Sequence, residues 1–234
     1  MNIKQKKIKK IESTLKEIYK RYKNKGALSI YLWGSILTGD YNPKSSDIDS
    51  IAIVDKNAKL KDNEEINHFL KTHFPNEDFK LNYLYLDELN GGKIKSRLAK
   101  VICPKLLLLD FKNWELVIGN KYSRKDFKIK KINFDEAVQL NLNVVKKNHL
   151  PLFEKGDFSV TPYFVKNLMK VCHYLNQKDV GEHKFMYKDL FKRSPKERKK
   201  IVKLLLKIRK NNWDKPLTKK NLHRLIEFID SLEN

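Results

Sequence analysis

Apolar positions recur along this chain at two periods, and strand-like runs cease after about residue 120. Between residues 3 and 24, Ile8, Ile11, Leu15, Ile18, Tyr19 and Tyr22 share one helical face, lysines take the other, and Gly26 supplies a stop. Leu28–Trp33 and Ile48–Val54 are short runs rich in β-branched and aromatic residues, and predict two strands. Residues 79–86, FKLNYLYL, predict a third. Between them, residues 63–73 carry Ile66, Phe69 and Leu70 at helical spacing. Ile94, Leu98, Val101 and Ile102 mark a further helix, which Pro104 is expected to stop. The run LLLLD at 106–110 is too short to assign by period, and Trp114–Ile118 reads as strand or turn.

The remainder predicts helices. One covers about 134–148, with Phe134, Val138, Leu142 and Val145 in phase. Thr161 is expected as an N-cap with Pro162 at the first helical position, opening a helix that carries Val165, Leu168, Met169, Cys172 and Leu175. Ser194-Pro195-Lys196-Glu197 reads as a capping box before Ile201, Leu204, Leu205 and Ile208. Thr218 caps a last helix through Leu222, Leu225, Ile226, Ile229 and Leu232. No internal repeat is present. The elements predict an α+β chain: an N-terminal mixed sheet with flanking helices over 1–125, then a helical domain over 126–234. The boundary falls near 120–131, in the basic stretch KYSRKDFKIKK.

With 234 residues, 41% of them hydrophobic, the chain can bury a sizeable core. No run of eighteen uninterrupted apolar residues exists, so no membrane span is expected. The opening MNIKQKKIKK has no apolar block behind it and does not read as a secretory signal. Cys103 and Cys172 have neither a disulfide framework nor metal-ligand spacing, and two reduced thiols in a cytoplasmic protein are expected. The net charge of +22 is uneven: residues 1–25 carry +8, residues 26–110 carry −1 and residues 186–220 carry +11. Such basic ends leave nucleic acid open as a partner. Against it, lysines outnumber arginines 43 to 7, whereas arginine's planar fork suits phosphate and base recognition better.

The neutral region holds the candidate chemistry. LSIYLWGSILTGDYNPKSSDIDSIAIV, residues 28–54, reads as strand, tight turn, helix start, loop and second strand. Asp47 and Asp49 lie two apart at the start of that second strand and so project to one face. Side-by-side carboxylates repel, and one is protonated unless a cation lies between them. Mg²⁺ is the simplest choice, because it takes one or two carboxylates and completes its shell with phosphate oxygens and water. Gly34 lets backbone approach a phosphate, and Ser35 with the following amides can bond to it.

This stretch resembles the signature of the DNA polymerase beta-like nucleotidyltransferase superfamily. An apolar strand, Tyr31-Leu32-Trp33, precedes Gly34-Ser35, and Asp47-Ile48-Asp49 follows after eleven residues, with Ser46 just before it. The resemblance implies that Asp47 and Asp49 are the catalytic metal ligands and that Gly34, Ser35 and Ser46 hold the nucleotide phosphates. It also implies a third carboxylate on the strand at 79–86, as metal ligand or proton acceptor. That face carries Lys80, Asn82, Leu84 and Leu86 instead. The third carboxylate is therefore missing, displaced to Asp78 or Asp87, or supplied from elsewhere.

The helical half is similar to the C-terminal domain of streptomycin/spectinomycin-type aminoglycoside adenylyltransferases, through NLMKVCHYLN, Gly181, a Lys-Asp segment, a long helix and LTKKNLHRLIEFIDSL. In that family the helical domain closes over the nucleotide and supplies cations to its phosphates. His173 stands where the family has an arginine and is expected to be a partly buried helix residue. Lys184 is the candidate for the lysine that meets the triphosphate. The implied function is Mg²⁺-dependent transfer of a nucleoside monophosphate, AMP from ATP, to an acceptor hydroxyl, with no membrane involved. Two alternatives stand beside the small-molecule acceptor: transfer to an RNA such as a tRNA end, and a catalytically degenerate nucleotide-binding protein. A polycationic aminoglycoside needs an acidic cleft, and the strongly basic chain argues against one, although the neutral N-terminal half leaves room for a local acidic patch.

Overall fold

The computed structural model describes residues 3–38, 40–41, 46–58, 63–181, 186–210 and 217–232. The chain divides into two compact units, residues 1–131 and 132–234.

In the first unit, helix α1 (Ile3–Tyr22) runs into a 3-10 turn, Lys23–Lys25, closed by Gly26 in the left-handed region at φ +100°. Strand β1 (Ala27–Trp33) follows, then the single-turn helix α2 (Ser35–Thr38) and strand β2 (Ile48–Val54). Helix α3 (Asn63–His73) returns the chain to strand β3 (Phe79–Tyr85). Helices α4 (Arg97–Val101) and α5 (Pro104–Leu109) precede strand β4 (Glu115–Gly119). The described strands form one mixed sheet in the order β3-β2-β1-β4. β1 is antiparallel to both β2 and β4, whereas β2 and β3 are parallel, as a crossover through a helix requires.

Each face of the sheet carries its own core. On one, Ile11, Leu15, Ile18 and Tyr22 of α1 and Ile66 and Leu70 of α3 pack on Ile30, Leu32, Ile48, Ala52 and Val54. On the other, Leu98, Leu107, Leu108, Phe111 and Trp114 cover Tyr31, Ile51, Ile53 and Leu84. Parity thus assigns the face of Asp49 to the second core, since Ile51 and Ile53 follow it at spacing two. Pro104 does not merely stop α4: it opens α5, where its missing N–H costs nothing, and the leucine run becomes that helix.

The second unit is helical. Helix α6 (Phe134–Val144) passes through a π-helical turn, Val145–His149, into α7 (Leu150–Glu154). Pro151 explains the turn, because it cannot donate to the carbonyl four residues back, and the ladder there lengthens so that the Leu150 N–H meets the Val145 carbonyl. Helix α8 (Thr161–Val180) begins at the residue expected to cap it, one residue earlier than expected. Val160 is the N-cap, and the Thr161 hydroxyl donates to the Phe158 carbonyl at 2.7 Å. Helices α9 (Tyr187–Arg193), α10 (Lys196–Lys210) and α11 (Lys219–Asp230) complete the unit. Thr218 caps α11 as expected, accepting from the Asn221 N–H. No helix among the described residues is long and apolar enough to cross a membrane.

Candidate active site

The site is built where β1 ends beside the start of β2. β1 stops at Trp33 because Gly34 turns the chain at φ +84°, a conformation that side chains rarely tolerate. Ser35 then begins α2, and the Leu37 N–H donates back to the Gly34 carbonyl at 3.2 Å. In the antiparallel ladder Trp33 faces Asp49. Gly34 is therefore pressed against that aspartate: a Cβ placed there would stand 3.2 Å from Asp49 Oδ2.

On the other side, the parallel ladder sets Asp49 beside Lys80 and Ile48 beside Phe79. The Ile48 N–H donates to the Asp78 carbonyl at 2.8 Å, so Asp47, the next residue back, lies at the Asp78 end of the sheet. Ser46, Asp47 and Asp49 are half-buried. Lys80 Nζ bonds Asp78 Oδ2 at 2.7 Å. Burial pulls the Lys80 ammonium down, but the hydrogen bond to Asp78 and the fields of Asp78, Asp47 and Asp49 outweigh it, and its pKa is raised.

This geometry separates the candidates for a third carboxylate. Asp87 follows the far end of β3, beyond Val54, and pairs with Lys95 at 3.1 Å. It lies at the opposite end of the strand from Asp49. Asp78 lies at the correct end but is held by Lys80. Among the described residues, no three of His, Cys, Asp and Glu gather as a metal cluster. The two motif aspartates remain, beside a glycine that leaves space for oxygen ligands. That all-oxygen donor set suits a hard cation such as Mg²⁺.

The loop between the two halves of the motif is anchored from below. Lys7 of α1 donates to the Tyr41 hydroxyl at 2.9 Å and also bonds Glu77, and the Tyr41 hydroxyl bonds Glu77 in turn. The Thr38 hydroxyl donates to Asp40 Oδ2 at 3.0 Å. Sequence reading missed this anchor, since residues 7, 41 and 77 share no local pattern. It also missed the aromatic wall behind Asp49, in which Trp33 and Trp114 have ring centroids 6.0 Å apart.

In the helical unit, His173 is buried, and its Nε2 lies 2.9 Å from Gln177 Nε2. Gly181 ends α8. Lys184 lies outside the described residues, as do parts of the loop at 42–45 and of the basic segment at 211–216. Cys172 is buried, which pushes its thiol up to about 12 and leaves it an inert core group.

The family model described as a nucleotidyltransferase domain matches residues 8–232. The chain belongs to this family. Among solved structures, this nucleotidyltransferase is similar to a spectinomycin adenyltransferase, AAD(9), from Enterococcus faecialis, whose crystal structure holds ATP and spectinomycin. The TM-score is 0.59 at 13% identity, over 97% of this chain and 99% of that one, a likeness of fold. No curated protein matches the chain.

Proposed function

We propose that this nucleotidyltransferase is Mg²⁺-dependent and transfers AMP from ATP to a hydroxyl of a small acceptor of the aminoglycoside kind. The observation that carries the reading is the space Gly34 leaves in front of Asp49, with Asp47 immediately before the strand that carries Asp49. Asp47 and Asp49 would hold the metal. Bound there, Mg²⁺ would neutralise phosphate charge. Gly34 keeps the approach to Asp49 open, and the hydroxyls of Ser35 and Ser46 donate to the tail phosphates. The acceptor oxygen attacks the α-phosphorus in line. A new O–P bond forms, the bond to the β-phosphate oxygen breaks, pyrophosphate leaves with that electron pair, and the acceptor proton passes to solvent. Positioning and charge neutralisation supply most of the acceleration, as in phosphoryl transfer generally.

The neutral first half supports a cationic small acceptor better than the basic ends do, and the fold neighbour was solved with ATP and spectinomycin. The test is incubation with ATP labelled in the α-phosphate, Mg²⁺, and either an aminoglycoside panel or total RNA. Label is expected on a small acceptor. Label on RNA alone would overturn the acceptor assignment.

A further inference from the structure

Lys80 is the one basic side chain that β3 sends toward the motif aspartates. It stands beside Asp49 in the parallel ladder, and neighbouring strands lie about 4.8 Å apart. Lys80 shares parity with Leu84, which packs in the same core as Ile51 and Ile53, so its side chain leaves the sheet on the Asp49 face. Its ammonium is tied to Asp78 at 2.7 Å and lies in the fields of Asp47 and Asp49. At this end of the sheet Lys80 thus bonds one carboxylate, that of Asp78, and feels the charge of two more, those of Asp47 and Asp49. A surface lysine paired with one carboxylate would have little consequence. Here the lysine sits in register with one of the two residues assigned to the metal.

We propose that Lys80 is the resident counter-cation of the Asp47–Asp49 pair, so that this site holds a single divalent cation and holds it weakly. This rests on the metal-binding reading of the two aspartates given above. A positive charge in the same small space repels an arriving divalent cation and supplies part of the charge that a second ion would bring. The nucleotide, with its own negative charge, then becomes necessary for tight metal binding. The site would discriminate against free metal and favour the metal–nucleotide complex.

The experiment is a Mn²⁺ titration of the full chain without nucleotide, with free ion counted by electron paramagnetic resonance. The wild type should bind one Mn²⁺ weakly. Lys80→Gln should tighten that site about tenfold without adding another. Lys80→Glu should tighten it further and admit a second ion. Unchanged or weaker binding by Lys80→Gln, or two ions bound by the wild type, would overturn the inference. Asp49→Asn separates the two levels of the argument. If it abolishes Mn²⁺ binding while Lys80→Gln changes nothing, only the role of Lys80 falls. If Asp49→Asn binds Mn²⁺ as the wild type does, or if no variant binds Mn²⁺, the metal-site reading falls and this inference with it.

Discussion

Gly34 leaves open, beside Asp49, the space that a side chain would fill: a Cβ at position 34 would lie 3.2 Å from Asp49 Oδ2. Two constraints coincide there, since the backbone is at φ +84°. Gly34→Ala should cost about 1–2 kcal/mol in stability through the left-handed backbone alone. It should also displace the carboxylate by a few tenths of an ångström, and turnover should fall by on the order of tenfold, less than the about 100-fold cost of a 1 Å misplacement. Urea denaturation and nucleotidyl transfer measured on the same preparation check both. Activity within a factor of two of wild type would show that the contact is not part of the site.

The Lys7–Tyr41–Glu77 cluster fastens Tyr41, which lies between Ser35 and Asp47 in the sequence, to α1 and to the turn before β3. Tyr41→Phe removes one hydroxyl from it and should destabilise the fold by about 1.5–3 kcal/mol, the range for hydrogen bonds to charged groups. Because Tyr41 is assigned neither to the metal nor to the phosphates, KM for ATP should rise more than kcat falls. An unchanged KM would place the loop's order elsewhere.

How much of this was legible in the sequence depended on how local each feature is. The bounds of β2 and the cap at Thr218 follow from residues within one element and match the structure. The π-turn and the use of Pro104 as a helix opener did not, because each reflects how a proline is accommodated by its neighbours' hydrogen bonds. The parity of Lys80 was readable along β3, but its place beside Asp49 was not. That pairing is set by the register of two parallel strands joined through α3, which no local pattern encodes.

Buried His149 should make stability depend on pH. Burial lowers its pKa below the usual 6.5, so the folded state prefers the neutral ring. The unfolded chain takes up the proton first as pH falls below that value, and stability is lost from there down to the folded pKa. His149→Gln should remove this part of the slope between pH 7 and pH 5. Denaturation midpoints of both proteins across that range check it, with parallel curves as the contrary result.

The exposed lysines of α10 are a solvated face in this account. Lys200, Lys203 and Lys207 are exposed or half-exposed on that helix. Replacing all three by glutamate should leave transfer to a small acceptor within about twofold, because substitutions of exposed charges usually change little. A steep loss of activity, with strong salt dependence in the wild type, would instead point to a polyanionic acceptor.

The most direct test of the central claim compares wild type with Asp49→Asn, using α-labelled ATP, Mg²⁺ and spectinomycin among a panel of aminoglycosides. The account predicts label on a small acceptor with the wild type, and a loss of at least about 100-fold with Asp49→Asn in a protein that still folds. Equal transfer by the two proteins would contradict it.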